Sequence, residues 1–186
     1  MKRFFDLLAS CVGLIVLAPL FFLCMLTVRL TSPGPIFYAS DRIGIHNSHF
    51  MMLKFRTMRV NTPQVATHLM TDPAAYLTPI GAFFRKTSLD ELPQLINVLK
   101  GEMSLVGPRP ALFNQDDLIE LRNQKGVHIL KPGVTGWAQI NGRDELPIPV
   151  KVDYDAYYLE HRSFLLDLKI ILLTILKTVR SDGVHH

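Results

Sequence analysis

The sequence predicts an α+β fold that is mostly helical, with an apolar amino-terminal anchor followed by one compact domain. An uncharged run separates Asp6 from Arg29 and is long enough for a membrane segment. Short alternating runs then indicate a small β-hairpin, and helical periodicity dominates the second half of the chain. We therefore expect a re-entrant membrane anchor over 1–33 and a domain over 34–186 that ends in an amphipathic helix over 163–180.

The composition supports one domain with a real core and a surface that meets anions. The 186 residues carry a formal net charge of +4, 48% of them are apolar, and the mean hydropathy is +0.22. A basic and apolar balance is unusual for a plain soluble enzyme, and it indicates lipid headgroups or phosphorylated substrates as partners. Cys11 and Cys24 both lie in the apolar run, so they predict neither a disulfide framework nor a zinc site. We assign no function to His185-His186.

The apolar run contains about 20 residues, enough to cross a bilayer core as one helix. It lacks the small-residue cleavage site of a signal peptide. Lys2 and Arg3 precede the run and Arg29 follows it, and cations at both ends favour two cytoplasmic ends. Pro19 removes a backbone hydrogen bond within the run and predicts a kink at Ala18-Pro19. Three arrangements remain open: a re-entrant helix that returns within one leaflet, a kinked spanning helix, and a buried core helix.

The runs IFYAS and MLKFRTM are separated by Gly44 and Asn47 and predict the small hairpin. Lys54 and Arg56 share one face of the second run. That face is either a solvated edge strand that carries charge or a cationic lining for a phosphate-bearing site. Residues 59–80 are polar and interrupted by proline, which indicates a long loop that can act as a lid.

Helical patterns follow from about 91 to 100, in DDLIELRNQ and from about 148 to 160, whereas KPGVTGWAQINGR predicts loop and short strand. The last helix begins at Ser163, a suitable N-cap. A broad apolar arc of this helix lies opposite a mostly polar face. The arc contains Leu165, Leu168, Ile171, Leu172, Ile175, Leu176 and Val179. With its cationic end the helix suits the membrane interface, and packing of the arc onto the domain core is the alternative.

The segment RKTSLDELPQ places two adjacent carboxylates, Asp90 and Glu91, at the predicted start of a helix. SLDE matches a capping box with Ser88 as the N-cap, and on that interpretation both carboxylates are structural. Pro93 opposes this interpretation, because its position in such a helix calls for an amide hydrogen bond. If Asp90 itself is the N-cap, the helix dipole lowers the pKa of Asp90 and keeps it ionised.

An ionised aspartate at this place can attack phosphorus as a nucleophile. Glu91 can ligate Mg²⁺, which keeps several waters and takes few carboxylates alongside substrate phosphates. Arg85, Lys86 and Arg109 supply positive charge for a diphosphate, and arginine can bind it in bidentate fashion. A lone Asp-Glu pair is a weak signal, so capping and catalysis both remain open on these residues alone.

The segment RKTSLDELPQLINVLKGEMSLVGPRP closely resembles the core motif of the bacterial sugar transferases, the monotopic phosphoglycosyl transferases. The likeness extends to SPGPIFYASDRIG, LKFRTM, KPGVTGWAQINGR and DAYYLEHRSFLLDLKII, which occur in the family's order and cover nearly the whole chain. Several linked motifs are far more specific than any one of them.

The resemblance implies a transferase that moves a phosphosugar from a UDP-sugar to undecaprenyl (polyprenyl) phosphate and releases UMP. The reaction would take place at the cytoplasmic face of the bacterial inner membrane, as the first membrane step of glycoconjugate synthesis. Asp90 falls on the family's nucleophile, which forms a covalent phosphosugar intermediate in a ping-pong mechanism, and Glu91 falls on its Mg²⁺-associated partner. Arg85 and Arg109 fall on arginines implicated in phosphate binding, and Asp155 falls on an acidic residue near the site.

One departure from the family concerns the kink. The family's re-entrant helix usually bends at a Ser-Pro pair, and this chain has Ala18-Pro19. A serine hydroxyl can bond a carbonyl freed at the kink and Ala18 cannot, so either Thr27 or a water compensates or the bend differs.

Expected partners beyond the two substrates are membrane lipids, with downstream glycosyltransferases and a second copy of the chain as further candidates. Nucleic acid is not expected. Two competing interpretations are a non-catalytic membrane scaffold that recruits glycosyltransferases and a membrane phosphohydrolase in which water replaces the lipid acceptor.

Overall fold

The amino-terminal segment is a pair of helices that meet at a sharp bend. The computed structural model describes residues 1–62, 72–142 and 146–180. Helix α1 spans Lys2–Val16 and helix α2 spans Ala18–Thr31, and the pair is bent by 65° at Leu17. Pro19 lies in the first turn of α2, where a missing amide hydrogen removes no helical bond. The predicted kink is therefore confirmed, and it falls just before the Ala18-Pro19 pair.

No single helix in the described parts of the chain is long and apolar enough to cross a bilayer. The bent pair of α1 and α2 meets that length and composition only when the two helices are taken together, as a broken span or a re-entrant loop. Thr27 donates its hydroxyl to the Leu23 carbonyl at 2.8 Å, one turn back within α2. Of the three alternatives for the missing serine at the bend, compensation by Thr27 is therefore wrong.

Helix α1 turns polar side chains towards the rest of the molecule. Its buried residues are Asp6 and Ser10, and Asp6 accepts hydrogen bonds from the Ser104 hydroxyl at 2.8 Å and the Leu105 amide at 3.2 Å. Large apolar side chains of α1 are exposed: Phe4, Leu7, Leu8, Val12, Ile15 and Val16. This pattern is the reverse of a core helix, so a buried core position is wrong for α1.

The predicted hairpin is confirmed, with both strands shifted towards the turn relative to the alternating runs. Strand β1 spans Phe37–Ile43 and pairs antiparallel with strand β2, which spans His49–Phe55, so that Phe37 lies opposite Phe55. The side chain of Phe55 is fully enclosed, and its ring packs against three others at centroid distances of 4.9, 5.5 and 6.1 Å. These rings belong to Phe21, Phe37 and Phe84. The aromatic cluster holds the end of β2, and with it Lys54, against α2.

Two short helices and an intervening turn follow the loop after β2. Helix α3 spans Gly81–Thr87, a 3₁₀ turn spans Leu89–Glu91, and helix α4 spans Gln94–Lys100. The helix predicted from about residue 91 therefore begins later, because Pro93 occupies its N-cap position. Of the predicted loop and lid over 59–80, residues 63–71 lie outside the described residues.

The second half of the chain surrounds two short parallel strands. Strand β3 spans Ser104–Val106 and pairs in parallel with strand β4, which spans Gly133–Thr135. The sequence predicts only one short strand here, so the parallel pair is an addition. Four helices complete the fold: α5 over Asp116–Gln124, α6 over Trp137–Ile140, α7 over Ile148–His161 and α8 over Phe164–Arg180. The predicted helices in DDLIELRNQ, from about 148 to 160 and over 163–180 are confirmed.

Helix α8 also packs through its more polar side. The Leu166 amide donates to the Ser163 hydroxyl at 3.2 Å, which confirms the predicted N-cap. Asp167 and Ile170 are buried, and Thr174 bonds Thr135 at 2.6 Å. Most of the predicted apolar arc is exposed, namely Leu165, Leu168, Leu172, Ile175 and Leu176. The alternative in which this arc packs onto the core is therefore wrong for these five side chains.

Candidate active site

The acidic pair lies in the 3₁₀ turn between α3 and α4. Ser88 adopts a left-handed conformation (φ 56°) at the junction, and no side chain caps either the turn or α4. The Glu91 amide donates to the Ser88 carbonyl at 3.2 Å, a backbone bond in place of a capping box. Both capping interpretations, with Ser88 or with Asp90 as the N-cap of α4, are wrong. The two carboxylates are thus free of a capping role.

Lys54 and Arg109 hold the acidic pair from two distant parts of the chain. Lys54 Nζ lies 2.7 Å from Glu91 Oε1 and 3.7 Å from Asp90 Oδ2. Arg109 Nη1 lies 3.2 Å from the same Glu91 oxygen. The side chains of Asp90 and Lys54 are only 8% and 16% exposed, so these charges interact with little screening by water.

The two carboxylates differ in proton affinity. Burial raises the pKa of Asp90, and the positive charge of Lys54 opposes that rise without cancelling it. Burial acts in the same direction on Glu91, but the charges and hydrogen bonds of Lys54 and Arg109 outweigh it and lower the pKa of Glu91. The predicted lowering of the Asp90 pKa by a helix dipole is wrong, because Asp90 does not begin α4.

Arg85 approaches Asp90 from α3. Its Nε donates to the Thr57 hydroxyl at 3.2 Å and one of its terminal nitrogens lies 3.3 Å from the Met58 sulfur. The positive charge of Arg85 acts to lower the pKa of Asp90, although less than that of Lys54. Arg85, Lys54 and Arg109 therefore surround two carboxylates with three cations, an excess of positive charge suited to a phosphate group.

Arg56 does not join this cluster. It is 4% exposed, and its two terminal nitrogens donate to the carbonyl oxygens of Ser32 and Pro33 at 2.9 and 2.6 Å. The predicted cationic lining by Lys54 and Arg56 is therefore divided: Lys54 lies at the acidic pair, and Arg56 fixes the carboxyl end of α2. The backbone leaves the strand after Phe55, so the alternation that places both side chains on one face no longer applies.

Asp155 is linked to Arg109 of the candidate site through Arg122. It is 2% exposed on α7, and its Oδ2 accepts from Arg122 Nη2 at 2.6 Å and Nε at 3.0 Å. Arg122 in turn donates to the Arg109 carbonyl at 2.9 Å. No local sequence pattern indicates Arg122, because its place depends on the packing of α5 against α7. A direct phosphate-binding role for Asp155 stays a prediction, and its observed partner is Arg122.

The donor set suits a magnesium ion shared with a substrate. No cluster of three or more histidine, cysteine, aspartate or glutamate side chains in the described ranges forms a complete metal cage. Mg²⁺ commonly needs only one or two carboxylates when substrate phosphates complete its coordination. Two adjacent carboxylates, Asp90 and Glu91, meet that requirement. Glu91 Oε1 is already shared by two cations, so an ion would compete with Lys54 and Arg109 for that oxygen.

The family model described as bacterial sugar transferase matches residues 1–181, and the chain belongs to that family. It is 42% identical over 186 residues to a Bacillus subtilis (strain 168) protein named uncharacterized sugar transferase EpsL, covering 99% of this chain and 90% of that protein.

Two further relatives carry names that state a reaction. The chain is 38% identical over 186 residues to a UDP-glucose:undecaprenyl-phosphate glucose-1-phosphate transferase of Xanthomonas campestris pv. campestris, covering 96% of this chain and 38% of that protein. It is 37% identical over 180 residues to a UDP-N-acetylgalactosamine-undecaprenyl-phosphate N-acetylgalactosaminephosphotransferase of Aeromonas hydrophila, covering 94% of this chain and 42% of that protein. The relatives share the acceptor in their names and differ in the sugar.

Proposed function

We propose that this chain transfers a phosphosugar from a UDP-sugar to undecaprenyl phosphate, with Asp90 as the nucleophile. The observation that carries the proposal is the position of Lys54, whose ammonium forms ion pairs with both carboxylates of the acidic pair. Lys54 reduces the cost of ionising buried Asp90, and Arg85 and Arg109 add the charge that a diphosphate needs. The names of the relatives support the same overall reaction.

In the first half-reaction a carboxylate oxygen of Asp90 bonds to the sugar-linked phosphorus of the donor. The bond from that phosphorus to the bridging oxygen breaks, and UMP leaves with that oxygen and the bonding electrons. Phosphoryl transfer of this kind depends mainly on positioning and charge neutralisation, which Arg85 and Arg109 would provide. The product on the enzyme is a phosphosugar joined to Asp90 by an acyl phosphate linkage.

In the second half-reaction an oxygen of the lipid phosphate attacks the same phosphorus. The bond between this phosphorus and the Asp90 oxygen breaks, the carboxylate is restored, and a polyprenyl-diphosphate sugar is released. Glu91, ionised by its contacts with Lys54 and Arg109, is the residue we expect to hold Mg²⁺ together with substrate phosphate oxygens. A bound Mg²⁺ would supply further neutralisation of phosphate charge.

The exposed apolar faces of α1 and α8 support a location at the membrane. Helix α1 buries Asp6 and Ser10, and α8 buries Asp167 and Ile170. Both helices expose large apolar side chains on their other faces, as expected for helices in contact with lipid. We infer that the bent pair of α1 and α2 enters one leaflet and returns, with the domain at the cytoplasmic face. This location would let Asp90 meet a soluble nucleotide sugar and a membrane-held phosphate in turn.

A half-reaction assay tests the proposal most directly. The purified full chain is incubated with a panel of UDP-sugars and Mg²⁺, and UMP is measured before and after undecaprenyl phosphate is added. We expect a stoichiometric burst of UMP without lipid and turnover with it. Asp90→Asn should lose both, whereas Asp116→Asn, the same change at an exposed residue of α5, should lose neither.

The competing interpretations give different results in the same assay. Full turnover by a folded Asp90→Asn protein would exclude Asp90 as the nucleophile. A scaffold would release no UMP from any UDP-sugar. A phosphohydrolase would yield free sugar phosphate and no lipid product.

A further inference from the structure

An open cavity of about 610 Å³ lies at the carboxyl end of α2, apart from the acidic pair. Its wall includes Ser32 and Pro33 from the end of α2, and Arg56 and Arg59 from the segment after β2. The volume is in the range of small-ligand sites. If the bent pair of α1 and α2 lies in the membrane, this cavity opens where the chain leaves it.

Positive charge at this cavity is not neutralised by any carboxylate in the described residues. Arg56 and Arg59 line the cavity, and Arg29 lies near Arg56, where its Nη1 donates to the Gly34 carbonyl at 3.4 Å. None of the three forms an ion pair among the described residues. Burial lowers the pKa of the Arg56 guanidinium and the nearby charge of Arg29 lowers it further. The buried Nε of Arg56 has no hydrogen-bond partner.

The backbone at Gly34 allows the arginine to stand close to the chain. Gly34 has φ +118°, and a Cβ built there would lie 2.9 Å from both Arg56 Nη1 and Val60 Cγ2. Arg56 and Val60 therefore pack directly on the turn that leaves α2. The arrangement is a formed site, because the guanidinium of Arg56 is fixed by two carbonyls and cannot swing away.

We propose that this cavity binds the phosphate group of a membrane lipid through Arg29, Arg56 and Arg59. Arginine is well suited to phosphate, and the position at the end of α2 favours a phosphate held by a lipid over a soluble one. The proposal rests on the membrane location inferred under the proposed function, but not on the chemistry at Asp90.

The site is also joined to the acidic pair through Thr57. The Thr57 carbonyl accepts from the Thr78 amide at 2.9 Å on the cavity wall, and the Thr57 hydroxyl accepts from Arg85 Nε at 3.2 Å. Thr57 therefore bonds both Thr78 on the cavity wall and Arg85, which precedes the acidic pair in the chain. Undecaprenyl phosphate could use the cavity as its entry position before reaction.

The test measures lipid binding without any UDP-sugar. The full chain is purified in dodecyl maltoside, a detergent without phosphate, and loaded with undecaprenyl phosphate, and bound lipid is counted by native mass spectrometry. The variant is Arg29→Gln with Arg59→Gln, because both side chains are exposed and can be replaced without disturbing the core. Arg162→Gln, the same change at an exposed position after α7, is the control. We expect roughly tenfold weaker retention in the double variant and none of this loss in the control.

Parallel titrations identify the source of the phosphate. Loss of retention for undecaprenyl phosphate alone assigns the site to the acceptor, and equal loss for phosphatidylglycerol assigns it to lipid phosphates in general. Unchanged retention of both lipids in the double variant would overturn the proposal. Displacement of the lipid by inorganic phosphate or by UMP at similar concentration would also overturn it, since the site would then take soluble anions. A UMP burst that survives in the double variant separates this result from any failure at Asp90.

Discussion

Lys54 Nζ lies 2.7 Å from Glu91 Oε1, although the two residues are 37 positions apart in the chain. The same ammonium lies 3.7 Å from Asp90 Oδ2. One ammonium group therefore pairs with two carboxylates, and the pKa values of these carboxylates shift in opposite directions. This shared contact gives Lys54 a measurable influence on how Asp90 ionises.

The pH dependence of the first half-reaction should report on Asp90. Only ionised Asp90 can attack phosphorus, so the UMP burst rate should fall as pH drops through the Asp90 pKa, which burial holds above the ordinary value of 3.8. Lys54→Gln removes the largest opposing influence, so the acid limb should move to higher pH and the rate at its plateau should fall by roughly 10²-fold. The measurement is the burst rate from pH 5 to 9, with Lys54→Arg as the control that keeps the charge. An acid limb that stays in place in Lys54→Gln would contradict this role.

Asp90→Asn should make the protein more stable while it abolishes turnover. Since the pKa of Asp90 is higher in the folded protein than in the unfolded chain, ionised Asp90 opposes folding at neutral pH. Folding stability is lost as pH rises from the unfolded pKa through the folded one, and the asparagine variant does not pay that penalty. We expect a rise in Tm at pH 7.5 of about 2–4 °C for each kcal/mol regained, with a smaller gain at pH 5.

Glu91→Gln is the matched comparison, with the opposite sign. The pKa of Glu91 is lower in the folded protein, so its ionised form stabilises the fold above the unfolded pKa and this stability is lost as pH falls. Replacing it weakens two charge-assisted hydrogen bonds, at a cost of about 2 kcal/mol or about 4–8 °C in Tm. Thermal unfolding in one detergent at pH 7.5 measures both variants. A shift of the same sign in both would show that Asp90 and Glu91 do not differ as described.

The local sequence pattern predicts the elements better than their contacts. The alternation of apolar and polar residues predicts the hairpin that contains Lys54. The helical spacing of apolar residues and the N-cap Ser163 predict α8. Each of these signals lies within a few neighbouring residues. The parallel pairing of Ser104 with Gly133 joins segments far apart in the chain, and no local pattern encodes it. For the same reason no local pattern predicts the role of Arg122, whose partner Asp155 lies 33 positions away on α7.

The acidic pair shows how the sequence can select candidate residues for a wrong structural reason. The sequence marks Asp90 and Glu91, and a helix N-cap position for Asp90 predicts a lowered pKa. The structure places both in a 3₁₀ turn, where burial and distant Lys54 decide the proton affinities. Burial and long-range charge depend on tertiary packing, so they cannot be derived from SLDELP alone.

Asp155 should act on the site by positioning and through Arg122. Asp155→Asn leaves the buried guanidinium of Arg122 without its counter-charge, which commonly costs about 3–5 kcal/mol. Because Arg122 also holds the Arg109 carbonyl, we expect a higher KM for the UDP-sugar and an unchanged pH profile. Arg122→Met with Asp155→Leu removes both charges and should destabilise less than the sum of the single changes. Additive destabilisation, or an altered acid limb in Asp155→Asn, would contradict a positioning role.

The outward face of α8 should lie in lipid. Leu172 is 58% exposed, whereas Ile170 on the same helix is fully buried, so the two positions separate contact with the membrane from contact with the core. In a Trp137→Phe background, Leu172→Trp should be quenched strongly by brominated phospholipid chains, because the indole would sit about 5–10 Å into the boundary of the acyl region. Glu120→Trp, on exposed and charged α5, should be quenched little. Equal quenching at both positions, or none at position 172 in reconstituted vesicles, would place the apolar arc against another protein surface instead of the membrane.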